Sequence, residues 1–321
     1  MTKILSDIVR QLLCLLSFCF PNNIEPYLKK EKKYKLILQK IIKETNISKS
    51  NLTKTHIQFN QKIKNILLDE KLYNFLRIGF IQKMFFVHNR LFIYFELIEL
   101  KKNLSFWKKY KKYLTECSFG NPIRYFLYPS SSGNIINHFY HLSLLHKYFN
   151  ITFKKIDFVF EFGGGYGCNA NIFYKLNKKV KYIIFDTFFV SLLQFYYLNT
   201  INVKTTFHNM NVCKKISLIS ELTHLKKINL AKYRQKLFVA NWSLSETPIL
   251  FRKNFFKFIY NVDYILISFQ ENFENINNYK YFDNLKKKIS HKFDVKIILN
   301  KHYRGNFFSR QNHYYFICKK Y

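Results

Sequence analysis

Glycine and proline are scarce in this 321-residue chain, at 8 and 5 residues. So few turn formers, in a chain that is 48% hydrophobic, exclude a disordered, collagen-like or linker-rich protein. Acidic residues are scarce too, 19 against 53 basic ones, for a formal charge of +34. Arginine supplies only 8 of the basic residues; the other 45 are lysines strung along the whole chain. A dedicated nucleic-acid surface leans on arginine for bidentate contacts to phosphates and bases. The charge therefore reads first as compositional drift, in step with the 36 Phe and 24 Tyr. Its field still attracts nucleic acid, anionic lipid or acidic substrates, so nucleic acid is admitted as a partner but not favoured.

Cysteine is limited to 6 residues whose spacing suggests no disulfide framework, which fits a reducing cytoplasm. Only Cys14 and Cys19 lie close together. They sit in an apolar run with no second pair to complete a zinc site, and are expected as buried core thiols. Long hydrophobic runs are absent. The run at 12–20 is too short to span a bilayer, Asp7 interrupts the basic segment before it, and Pro21-Asn-Asn23 stands where a signal peptide would carry small residues. An amphipathic first helix is expected there, and no transmembrane segment anywhere.

What is present divides in two. Residues 1–118 carry apolar positions at three-four spacing, as at Ile63, Ile66, Leu67, Leu72, Phe75 and Leu76, and predict a helical accessory region with a connection over 40–54. Residues 119–321 form the second region. Turn-rich stretches at 119–122 and 128–133 precede a helix over 134–149. Short apolar runs then alternate with amphipathic segments, predicting strands over 157–162, 181–186, 203–207, 236–241, 264–269, 295–299 and 314–318. Strand–helix alternation implies a mostly parallel sheet covered on both faces. The last two strands lack a helix between them, so the last strand is expected to return antiparallel.

Four of the 8 glycines fall within Glu161-Phe-Gly163-Gly-Gly165-Tyr-Gly167, at the end of the first predicted strand of this sheet. A backbone without Cβ atoms turns sharply and approaches a ligand closely, and the helix that follows offers free N–H groups to an anion. Asp186 ends the next strand, where a carboxylate accepts both hydroxyl hydrogens of a ribose. Two cofactors compete for this arrangement. Gly165-Tyr-Gly167-Cys-Asn-Ala170 satisfies the dinucleotide pattern, so NAD stays open. Against it, Glu161 would repel a pyrophosphate yet suit the cationic methionine moiety of S-adenosyl-L-methionine.

These residues resemble the class I S-adenosylmethionine-dependent methyltransferases, and within them a group of sugar O-methyltransferases. The resemblance rests on residues 160–167, 182–186, 194–198 and 241–246, with 120–122 and 130–141 upstream, and covers about 119–321. It implies a Rossmann-like α/β sheet and methyl transfer to a hydroxyl of a sugar or glycoconjugate. Cofactor contacts are expected at Glu161, Gly163, Gly165, Gly167, Asp186, His208 (near the adenine) and Asn241.

Such a transfer needs the acceptor oxygen aligned with the methyl group, helped by a base; Mg2+ is admitted as an aid that lowers the hydroxyl's pKa. Candidate catalytic groups are His138 and His141, which share a helix face, and Glu246 and Glu271, at the ends of two strands. Ser243-Leu-Ser-Glu246 also fits a capping box, which would tie Glu246 to a helix start. Arg304 and Arg310, among aromatics in the loop before the last strand, are expected to grip an anionic sugar substituent. Two other readings are a nucleic-acid methyltransferase and a noncatalytic binding protein that kept the fold.

Overall fold

The computed structural model describes residues 3–45, 54–85, 89–207, 216–225, 228–303 and 311–321. Helices come first: α1 (Lys3–Leu16), α2 (Leu28–Glu44), α3 (Lys54–Leu68), α4 (Gly79–Phe85), α5 (Leu91–Lys102) and α6 (Leu104–Tyr110). The hairpin β1 (Arg124–Tyr125) and β2 (Tyr128–Ser132) leads into α7 (Gly133–Phe149). Ser132 caps α7, its Oγ accepting from Ile135 N at 3.2 Å, and Asn150 closes it with a left-handed φ of 53°.

The alternating region follows: β3 (Phe158–Phe162), α8 (Cys168–Leu176), β4 (Lys181–Phe185), α9 (Phe188–Thr200), β5 (Thr205–Phe207), β6 (Ile216–Ile219), α10 (Leu222–Leu225), β7 (Lys236–Asn241) and α11 (Ile249–Phe256). Then come β8 (Tyr264–Gln270), the short pair β9 (Asn272–Phe273) and β10 (Ile276–Asn277), α12 (Asn278–Ile289), β11 (Phe293–Leu299) and β12 (His313–Lys320). The main sheet has the order β11-β12-β8-β7-β3-β4-β6-β5. β12 runs antiparallel to both neighbours and every other pair is parallel. This is the Rossmann-like sheet expected from the sequence. The chain leaves β3 for β4 on one side and returns to β7 on the other, so a crevice opens at the carboxyl end of β3.

Strand alternation sorts the core. Phe158, Phe160 and Phe162 join Ile183, Phe185 and Phe238 on the face covered by α11 and α12. Val159, Tyr182, Ile184 and Val239 face the other way, into a core shared by α7, α8, α9 and the helices before residue 118. In that layer α2 and α3 pack on α9, and α5 packs on α7.

Three buried carboxylates fasten the early helices and the connection after them to the elements beneath. Glu31 accepts from Tyr196 Oη at 2.8 Å, and both oxygens of Glu96 accept from Asn137 Nδ2, at 3.0 and 2.9 Å. Glu116 accepts from Ser132 Oγ at 2.5 Å. Each is held by a neutral donor, and burial pushes Glu96 up to about 8 against the pull of Asn137.

The structure corrects several expectations. The strand expected over 203–207 is the sheet's edge, β5; the strand beside β4 is β6, whose four residues are too short a run to stand out in the sequence. The connection expected over 40–54 is shorter, since α2 continues to Glu44 and α3 starts at Lys54. Cys19 is exposed rather than a core thiol, because it follows the end of α1, and the side chain of Cys14 lies outside the described ones; Cys168 and Cys318 are buried among those described. Among the described residues no helix is long and apolar enough to cross a membrane.

Candidate functional site

The glycine loop leaves β3 beneath two helices. Gly163 N donates to Phe185 O at 2.8 Å, carrying the β3–β4 ladder one residue further. Gly163 has a φ of 70°, and a Cβ there would lie 2.2 Å from Ser243 Cβ, so the loop after β7 is pressed against it. Gly165 (φ 56°) meets Phe85, from the end of α4, where a Cβ would come 3.1 Å from the ring. The helical region thus reaches the glycine loop, a contact with no local signal in the sequence. Gly167 takes a φ of 98° and starts α8.

Glu161 turns inward under this loop. Its Oε1 accepts from Asn169 Nδ2 at 2.9 Å and its Oε2 from Tyr182 Oη at 2.8 Å. Burial pushes it up to about 7, opposed by those two donors. A Cβ on Gly164 would lie 2.9 Å from Glu161 Oε2, so the carboxyl sits directly below the turn.

Asp186 follows β4, and its own N donates to Ile219 O of β6 at 3.0 Å. Its Oδ1 accepts from Thr187 N at 2.8 Å and its Oδ2 from Gln194 Nε2 at 2.9 Å. The same Gln194 nitrogen reaches Gly165 O at 2.9 Å, bracing acid and glycine loop together. Burial, with Glu161 nearby, pushes Asp186 up to about 7. Each Asp186 oxygen keeps lone-pair capacity for a further donor, and the buried Gln194 Oε1, Thr187 Oγ1 and Ser191 Oγ have no partner among the described residues. Gly163 and Gly165, closely packed by Ser243 and Phe85, stand on one side of the brace and a partly exposed carboxylate on the other. This donor and acceptor set fits a nucleoside ligand. A pyrophosphate on the turn would face the Glu161 carboxyl beneath it, whereas a sulfonium there would not be repelled.

Asn241 ends β7 next to that crevice and collects both candidate histidines. Its Nδ2 donates to His138 Nδ1 at 3.2 Å, and its Oδ1 receives His141 Nδ1 at 3.1 Å and Ser268 Oγ at 3.1 Å. Burial lowers His138 to about 4; burial, then the neighbouring His138, lowers His141 to about 3. The shared face of α7 that the sequence predicts is the face turned to this strand end. Trp242, next in the chain, adopts a φ of 59° and donates from Nε1 to His313 Nδ1 at 2.9 Å.

The two glutamates stand apart from this cluster. Ser243 does not form the expected capping box: its Oγ donates to Phe162 O, and it lies inside a 3-10 turn whose cap residue is Trp242. Glu246 is exposed, with Gln270 Nε2 donating to it at 3.4 Å. Glu271 is tied to the start of β12, its Oε2 accepting from Asn312 N at 3.4 Å. Arg304, Arg310 and His208 lie outside the described residues. Because β6 lies beside β4, Ser220 and Glu221 hold the place at that strand end expected of His208. Among the described residues no group of three or more His, Cys, Asp or Glu could hold a metal ion.

Arg252 was not foreseen. Fully buried, it donates to Ser245 O, Thr247 O and Asn278 Oδ1 at 2.6–2.7 Å, and so pins the loop that presses on Gly163. Only its place among the apolar residues of α11 hinted at burial, and lone arginines rarely signal that.

No family model matches the sequence, and a comparison with curated proteins finds no relative. Solved structures of similar chain course include a SAM-dependent methyltransferase from Aquifex aeolicus, 11% identical, covering 56% of this chain and 89% of that one at a TM-score of 0.37. Magnesium protoporphyrin IX methyltransferase from Synechocystis, with bound SAM, is 9% identical over 51% of this chain and 69% of its own at a TM-score of 0.35. The fibrillarin/Nop5p complex gives 10% identity, 57% and 80% coverage and a TM-score of 0.39.

Proposed function

We propose that this chain is an S-adenosyl-L-methionine-dependent methyltransferase that methylates a hydroxyl of a sugar or glycoconjugate. The observation that carries the cofactor reading is the brace of Asp186, Gln194 and Gly165 at the carboxyl ends of β3 and β4. Bound there, S-adenosyl-L-methionine supplies an activated methyl group. Asp186 accepts the ribose hydroxyls, the turn after β3 receives the amino-acid portion, and the Glu161 carboxyl beneath the turn favours positive charge above it. The end of β6, at Ser220 and Glu221, lies where the base is received. Asn241, with His138 beside it, faces the acceptor. No Mg2+ enters this reading.

The sugar acceptor rests on the resemblance of residues 119–321 to the sugar O-methyltransferases. A nucleic-acid acceptor is the second reading, favoured by the charge of +34. Incubation with methyl-labelled S-adenosyl-L-methionine, offered nucleotide sugars, glycolipid extract and total RNA in parallel, separates them. Label in carbohydrate supports the proposal; label in RNA alone replaces it with the second reading. A folded protein that binds no cofactor would be the noncatalytic protein instead.

A further inference from the structure

The two histidines at Asn241 need not act alike, because one amide lies between them. An amide has a donor end and an acceptor end, and here each end meets the Nδ1 atom of a histidine. The ring at the donor end must offer a lone pair on Nδ1 and the ring at the acceptor end must offer an N–H, so two neutral rings take opposite tautomers. Neutrality is secured by burial, which holds both rings far below pH 7.

Which ring takes which tautomer follows from His141. Its Nε2 is buried without a hydrogen-bond partner among the described residues. With the amide as placed, that atom is a bare acceptor; with the amide turned over, it is an orphaned N–H. A buried N–H without an acceptor is the rarer and costlier of the two. Ser268 Oγ, 3.1 Å from Oδ1, pairs with either end of the amide and does not choose. His141 is therefore the Nδ1–H tautomer and His138 the Nε2–H tautomer. No described residue bonds Nε2 of His138, which is only partly buried.

The geometry points to Asn241 as a tautomer selector that makes His138 a hydrogen-bond donor, positioning an oxygen of the acceptor instead of taking its proton. The role in methyl transfer rests on the function proposed above; the tautomers do not. A neutral N–H donor beside the crevice suits a hydroxyl, ether or carboxylate oxygen and offers nothing to a protonated amine, so the acceptor presents an oxygen there.

The test uses the full-length protein labelled with 15N-histidine, read by two-bond proton–nitrogen correlation at pH 7, with His138→Gln and His141→Gln used for assignment. The expected spectrum has His138 protonated at Nε2 and His141 at Nδ1. Equal tautomers on the two rings, or the inverse pair, overturn the proposal. In Asn241→Asp, an acceptor-only side chain should put a proton on His138 Nδ1 and leave His141 unchanged; a His138 that lacks Nδ1–H there also overturns it. If that variant does not fold, the wild-type spectrum decides alone. No cofactor is present in these spectra, so failure of methyl transfer and failure of the tautomer assignment are read separately.

Discussion

Gln194 holds Asp186 to the glycine loop through one nitrogen, which lies 2.9 Å from both Asp186 Oδ2 and Gly165 O. Its position on α9, eight residues after the acid, lets the first helix after β4 reach back over the strand end. Removing the amide should free the carboxylate to turn and let the loop drift. In Gln194→Ala the affinity for S-adenosylhomocysteine should fall about tenfold, the scale of one hydrogen bond to a charged group. Gln194→Glu should fall further by setting two carboxylates side by side. Calorimetry on the pair checks both, and unchanged affinity in Gln194→Glu would contradict the brace.

Cofactor affinity should depend on pH. Asp186 is held near 7 by burial and by Glu161, and only the ionised form accepts two ribose hydroxyls. Below 7 binding must first remove a proton; above 7 it need not. The association constant should therefore rise as pH increases from 6 to 8, and Asp186→Asn should bind weakly with that rise reduced to the part Glu161 supplies.

Gly163 is fixed by a neighbour as well as by its φ of 70°. A Cβ would meet Ser243 Cβ at 2.2 Å, an overlap neither atom can escape by rotating. Gly163→Ala should cost about 2 kcal/mol or more from overlap and backbone strain together. Adding Ser243→Gly should recover part of this, because it removes the overlap and leaves the strain. Thermal unfolding of the single and double variants measures the split.

Glu96 gives the fold its own pH dependence. Its carboxyl is raised from 4.5 to about 8 in the folded protein, so the folded state keeps a proton that the unfolded state releases. That contribution is fully present below pH 4.5 and is lost as pH rises through 8, on the order of 3–5 kcal/mol across the window. Glu96→Gln, which keeps the contact with Asn137, should flatten the decline and be the more stable protein at pH 9. Urea unfolding at pH 5, 7 and 9 would show it; parallel profiles for the two proteins would refute the assignment.

The sheet was legible because its strands are apolar runs ending in turn chemistry, as Phe158–Phe162 ends in glycine and Lys181–Phe185 in an acid. β6 was not, since four residues give no usable period. At the site, the spacing of His138 and His141 foretold a shared face but not that the face meets Asn241, which is a long-range contact. The capping box failed for a similar reason: the tertiary acceptor Phe162 O took the Ser243 hydroxyl that a local pattern assigned to a helix start. Buried Glu31, Glu96 and Arg252 were illegible, because a charged residue in sequence reads as surface until its partners are known.

The identity of the nucleoside that the crevice takes decides between the cofactors. Isothermal calorimetry with S-adenosylhomocysteine and with NAD, on the wild type and on Asp186→Ala, addresses that directly. Binding of S-adenosylhomocysteine alone, weakened at least tenfold in Asp186→Ala, is the predicted result. Binding of NAD alone, or S-adenosylhomocysteine affinity unaffected by loss of Asp186, would contradict it.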